Sequence, residues 1–162
     1  MNILFLCTGN SCRSILAEAT FNALTSQSMR AMSAGSQPAG FVHPKSIALL
    51  ASKGIATDGY YSKSWDNLPN TLNIVTPDIV ITVCGNSADE TCPAYLGKVI
   101  RAHWGVEDPA KAKGTDAEID AAFETTYSIL RKRIEAFLAL PTSVFENKDQ
   151  LQSSLNKICE TV

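Results

Sequence analysis

Long apolar runs, an excess of positive charge, internal repeats and histidine clusters are all missing from this sequence. No apolar stretch among its 162 residues has the length needed to cross a bilayer. Lys and Arg number 14 against 16 Asp and Glu, a net charge of −2 at pH 7. That balance argues against a general nucleic-acid or anionic-membrane surface. It leaves room for a local anion site, which needs only a few N–H groups and one Arg. No basic segment precedes MNILFL and no cleavable apolar segment follows it. No linker or low-complexity tract divides the chain, so residues 1–162 are expected to form one catalytic domain. The expectation is a cytoplasmic monomer that binds neither nucleic acid nor membrane.

What is present is cysteine, in an odd number: Cys7, Cys12, Cys84, Cys92 and Cys159. In a reducing compartment these are thiols, metal ligands or redox participants rather than a disulfide framework. A zinc site built from Cys84, Cys92 and His103 lacks a close cysteine pair and a clear fourth ligand.

The periodicity alternates strands and helices. Residues 2–6 and 78–83 read as short buried strands, the latter rich in β-branched residues, and 30–34 and 98–102 as two further strands. Residues 13–25 place Leu16, Thr20, Phe21 and Leu24 on one helical face. Pro44 suits a first helical position, and Gly54 a helix end. Thr115 with Glu118 makes a capping box, followed by Ile119, Phe123, Tyr127, Leu130, Ile134 and Phe137 at helical spacing. Leu151, Leu155 and Ile158 mark a last helix, and 57–73 reads as loop with a short helix. The fold class expected is α/β: a three-layer sandwich with a four-stranded parallel sheet and helices on both faces. Sites in such sheets lie at the carboxyl ends of the strands. Loops 7–14, 84–96 and 103–114 leave those ends and carry four of the five cysteines.

Between Cys7 and Arg13 runs a stretch of small and polar residues: Thr8, Gly9, Asn10, Ser11 and Cys12. Such a loop can curl its amides inward as an anion nest at a helix N-terminus. Asn10 tolerates left-handed dihedrals, and Arg13 offers a planar fork to a tetrahedral oxyanion. Cys7 sits in the same field, which favours its thiolate, and the Ser14 hydroxyl is placed to donate to it. A general acid for a leaving oxygen is available at Glu107 or Asp108, between which chemistry alone does not choose. His103 and Trp104 are expected to orient and pack that loop, His43 to sit in a loop or at a helix start, Cys12 to pack, and Cys159 to be incidental.

CTGNSCRS at 7–14 resembles the phosphate loop of the low-molecular-weight protein tyrosine phosphatase superfamily. With Ser33-Ala34-Gly35, CGNSADETCP at 84–93 and HWGVEDP at 103–109, the chain resembles its arsenate reductase branch. The resemblance implies Asp108 as the general acid. It also implies a relay in which Cys7 attacks arsenate, Cys84 attacks Cys7 with release of arsenite, and Cys92 attacks Cys84. An external dithiol then reduces the Cys84–Cys92 disulfide, with thioredoxin the first expectation and a glutaredoxin/glutathione system the second. Seven residues separate Cys84 from Cys92, where well-known thioredoxin-coupled members have six. No tightly bound cofactor is implied. Some relatives bind potassium through positions matching Asn10, Glu18 and Ser33, but the family's Thr and Asp have no clean match near 60–66. The rival functions are phosphate-monoester hydrolysis through a phosphocysteine and a non-catalytic oxyanion or redox sensor.

Overall fold

The computed structural model describes residues 1–26, 28–67, 77–83 and 99–161. The loop 84–96, with Cys84 and Cys92, lies outside the described residues.

Strands β1 (Asn2–Cys7), β2 (Arg30–Gly35), β3 (Ile79–Thr82) and β4 (Ile100–His103) form one sheet in the order β2-β1-β3-β4. All three pairings are parallel. β1 is central and apolar on both sides because both its faces are covered. Ile3 and Phe5 join the main core, while Leu4 and Leu6 are buried with Met32, Val80 and Trp65 on the other face. A 3-10 turn at Trp65–Asn67 carries Trp65 there. It is the part of the expected second covering layer that falls within the described residues.

The main core is closed by α1 (Arg13–Leu24), α2 (Pro44–Ser52), α3 (Asp116–Leu138), α4 (Thr142–Phe145) and α5 (Lys148–Thr161). The expected capping box forms, with the Glu118 N–H donating to Thr115 Oγ1 at 3.2 Å. His43 caps α2, its Nδ1 accepting from the Lys45 N–H at 3.1 Å. The short α4 was not expected; Pro141 precedes it and none of its residues is fully buried, so its apolar content is too slight to signal a helix. Trp104 is fully buried and its Nε1–H donates to the Leu155 carbonyl at 3.0 Å. Through that bond α5 supports the segment that leaves β4. His103 Nδ1 lies 2.6 Å from Thr82 Oγ1, tying the same segment to β3.

The order reverses at β1, with the next strand β2 on one side and β3 on the other. A crevice at the carboxyl end of such a strand is where α/β sheets place ligands. Cys7 is the last residue of β1 and Arg13 the first of α1. The five-residue step between sheet and helix is therefore the loop singled out by the sequence.

Candidate active site

The loop curls because its carbonyls are claimed from outside. Cys7, Thr8, Gly9 and Ser11 carbonyls accept from the N–H groups of Ser36, Gln37, Ala39 and His43, at 2.9–3.3 Å. The Ser46 and Ser62 hydroxyls donate to the Ser11 and Gly9 carbonyls. Peptide planarity then turns N–H groups to the inner side, and the Asn10 N–H donates to Cys7 Sγ at 3.2 Å. Asn10 takes the left-handed conformation, φ 47°, that the turn demands. Gly35 makes the close approach possible: a Cβ there would stand 2.4 Å from the Thr8 carbonyl oxygen.

Asn10 is also the hub of a buried network. Its Oδ1 accepts from the Lys63 N–H at 2.9 Å, which fixes the amide orientation. Its Nδ2 then donates to Ser14 Oγ at 2.8 Å and to Ser33 Oγ at 2.9 Å. Ser33 in turn donates to Glu18 Oε2. Ser14 Oγ lies 2.8 Å from Cys7 Sγ. Because Ser14 already accepts from Asn10, its own hydrogen is available to the sulfur. Two donors thus converge on Cys7, an arrangement that favours the thiolate.

Arg13 closes the mouth of the loop. One guanidinium nitrogen donates to the Val106 carbonyl at 3.2 Å, and the other lies 3.3 Å from Asp108 Oδ2. Asp108 Oδ1 accepts from the Ala110 N–H at 3.0 Å, capping the 3-10 turn Pro109–Lys111. Of the two adjacent acids, Asp108 is the one whose carboxylate faces Arg13; Glu107 is exposed. A cleft of about 910 Å³, lined by Arg13, Val106, Asp108, Thr126 and Arg133 among others, opens beside them.

Cys12 is buried behind the loop, and burial pushes its thiol up to about 11 against the helping hydrogen bond from Ser46. Two residues beyond the sequence-derived set support the site. Lys63 is buried against Glu18, with Nζ 3.9 Å from Oε2. Arg133 is buried, and its guanidinium donates to the Trp104 and Gly105 carbonyls at 2.8 and 3.3 Å, holding the base of the acid loop. Arg133 had a signal: it follows Leu130 by three on the apolar face of α3. Lys63 had none, lying in a mixed polar stretch. The structure thus gathers Cys7 through Ser14, Glu18, Ser33 and Asp108 at one end of the sheet. Among the described residues no group of three or more His, Cys, Asp or Glu is arranged to hold a metal, and no helix is long and apolar enough to cross a membrane.

The chain is similar to known proteins in sequence and in fold. The arsenate reductase of Halalkalibacterium halodurans is 39% identical over 135 residues, covering 83% of this chain and 93% of that protein. A solved arsenate reductase in the phosphate binding state superposes with a TM-score of 0.66 at 28% identity, covering 85% of this chain and 96% of that one. The thioredoxin-dependent arsenate reductase of Corynebacterium glutamicum has a TM-score of 0.56 at 26% identity, covering 83% of this chain and 61% of that one. The family model for low molecular weight phosphotyrosine protein phosphatase matches residues 2–151. With loop, fold and relatives in agreement, the chain belongs to the low molecular weight phosphotyrosine protein phosphatase family.

Proposed function

We propose that this protein is an arsenate reductase in which Cys7 is the nucleophile and Arg13 with the loop amides binds the oxyanion. The observation that carries the reading is Cys7 Sγ inside the amide loop, with Ser14 Oγ at 2.8 Å, in a chain 39% identical to an arsenate reductase. That a similar structure is described in a phosphate binding state supports a tetrahedral oxyanion as the loop's ligand.

In the first step the Cys7 thiolate attacks arsenic. An S–As bond forms, an As–O bond breaks, and Asp108, displaced from Arg13 and carrying a proton brought in with the arsenate, delivers that proton to the departing oxygen. Arg13 exchanges Asp108 for the substrate oxygens as arsenate arrives. The Cys84 thiolate then attacks Cys7 Sγ. The S–S bond forms as the S–As bond breaks, and its electron pair stays on arsenic, which leaves as arsenite. Cys92 next attacks Cys84, releasing Cys7 as thiolate and leaving a Cys84–Cys92 disulfide. An external dithiol takes up that disulfide; the thioredoxin-dependent relative favours thioredoxin over glutaredoxin and glutathione.

Hydrolysis of phosphate monoesters is the second reading, favoured by the family match. Cys7, Arg13 and Asp108 are all that it requires, with water resolving the phosphocysteine. Ala110 and Lys111 follow Asp108-Pro109, so no aromatic pair stands there to grip a flat phenyl ester.

The test is NADPH consumption with arsenate, thioredoxin and thioredoxin reductase, repeated with glutaredoxin, glutathione and glutathione reductase. Turnover in either system that is lost in Cys84→Ser supports the reductase and names its partner. No turnover in both, with rapid hydrolysis of an aryl phosphate that survives Cys84→Ser, overturns it in favour of the phosphatase.

A further inference from the structure

We propose that the Lys63 ammonium is the built-in cation of this site: it takes the place of a potassium ion beside Glu18 and positions, through Glu18, the hydrogen-bond chain that ends on Cys7. The inference builds on the reading of Cys7 as nucleophile in its kinetic consequences only.

Glu18 is a carboxylate on the buried face of α1, with its side chain 10% exposed. A buried carboxylate that must accept a hydrogen bond needs a countercharge. Ser33 donates to Glu18 and accepts from Asn10, and Asn10 donates on to Ser14. The Ser33–Glu18 link keeps its direction only while Glu18 is an acceptor. A protonated Glu18 donating back to Ser33 would turn the Ser33 hydrogen toward the Asn10 NH2 group, donor against donor, and strain the amide that the Lys63 N–H holds in line with Ser14.

Lys63 supplies the countercharge from the segment after α2. Its side chain is 5% exposed, Nζ lies 3.9 Å from Glu18 Oε2, and the ammonium donates to the Tyr61 carbonyl at 2.9 Å. The Tyr61 ring stands over it, 4.6 Å from Nζ to the centroid. The same residue's N–H holds Asn10 Oδ1, so side chain and backbone of Lys63 grip both ends of the network. Burial pushes the Glu18 carboxyl up and the Lys63 ammonium down, and each opposes the other's shift. Arg30 is the other cation that acts on Glu18.

The residues present do not fit a potassium ion. Asn10 turns its NH2 group, not its carbonyl oxygen, toward Ser33. Glu18 already has an ammonium against it. An added cation would face Nζ at close range and find a donor where it needs an oxygen.

The experiment compares the wild type, Lys63→Ser and Lys63→Met/Glu18→Gln in potassium chloride and in choline chloride at matched ionic strength. Thermal unfolding and steady-state arsenate reduction are both measured. The unfolding readout needs no arsenate, so a failure of the functional reading leaves it intact. The wild type is expected to show the same Tm and the same kcat in both salts. Lys63→Ser in choline should lose several degrees in Tm and about tenfold or more in kcat, with KM changed far less. Potassium should restore part of both, because the serine leaves a space beside an unpaired Glu18. The double variant should regain stability over Lys63→Ser and ignore potassium, since it has neither charge. A wild-type protein that potassium stabilises and activates overturns the proposal, whether or not the variants fold. So does a Lys63→Ser protein that matches the wild type in choline.

Discussion

Two ion pairs flank the same loop, Arg13 with Asp108 at its mouth and Lys63 with Glu18 behind it. At the mouth the side chains are 12% and 21% exposed and 3.3 Å apart; behind, they are 5% and 10% exposed and 3.9 Å apart. The front pair is reached by solvent and is backed by one-sided bonds to the Val106 carbonyl and the Ala110 N–H. It can open when an oxyanion competes for the guanidinium. The rear pair is wired into Asn10, Ser33 and Tyr61 and has no ligand to exchange with. Breaking the buried pair by removing one partner strands the other charge, whereas at the half-buried mouth solvent takes up part of that cost. The mouth therefore serves turnover and the back serves order, although the pairs look alike as contacts.

Changes at the mouth should cost activity and spare stability. Arg13→Ala removes the side chain that reaches the oxyanion, and kcat/KM for arsenate is expected to fall by about a hundredfold to a thousandfold. Its Tm should stay close to the wild type, measured in parallel. A variant that lost its fold as well would put Arg13 in the same class as Lys63. Asp108→Asn keeps the shape and the cap on Ala110 but has no proton to give. We expect kcat to fall by about a hundredfold. An unchanged kcat would move the acid role to Glu107, whose side chain would then have to swing in from solvent.

A change behind the loop should do the reverse, costing stability first. Gly35→Ala places a Cβ 2.4 Å from the Thr8 carbonyl oxygen and 3.0 Å from the Asn10 nitrogen, both backbone atoms that cannot step aside cheaply. The expected loss is about 1–3 kcal/mol by denaturant titration. Activity should fall with it, because the clash pushes on the two residues that shape the nest. Full stability with full activity would mean that β2 can slide away from the loop, and would weaken the contrast between front and back.

The same contrast explains what the sequence revealed. The inner strands β1 and β3 were legible because burial on both sides leaves an uninterrupted apolar run, as in NILFLC, whereas β4, IRAH, exposes Arg101 and His103 at the sheet edge. Cys7, Arg13, Asn10 and Ser14 were legible because a nest demands particular residue types at fixed spacing. Their supports were harder to see. Lys63 sits among polar residues, and only its burial on folding separates it from a surface lysine. Arg133 was marked in the opposite way, as a lone charge three residues after Leu130 on an apolar helical face. Glu107 and Asp108 were separated in the sequence by the resemblance alone, and in the structure Asp108 is the one whose carboxylate faces Arg13. Cys84 and Cys92 keep the standing that the resemblance gave them, since they lie outside the described residues.

The smallest effect tests the comparison within one loop, between its two thiols. Cys7 receives the Asn10 N–H at 3.2 Å, whereas burial holds the Cys12 thiol up at about 11. Near neutral pH, iodoacetamide should therefore modify Cys7 well before Cys12, read by fragmenting the peptide that carries both. Both thiols are buried, so modification of Cys12 at an equal rate would mean the loop opens as a unit and the hydrogen bonds to Cys7 set no difference between them. Stability gives the second reading. The unfolded thiol ionises near 9.0 and the folded one near 11, so between those values the unfolded chain has shed a proton that the folded chain keeps. Fewer protons bound in the unfolded state means that stability falls as pH rises through that window. Cys12→Ala should flatten the fall by at most about 1.4 kcal/mol per pH unit relative to the wild type. Identical slopes would show that Cys12 ionises in the folded protein as freely as in the unfolded one.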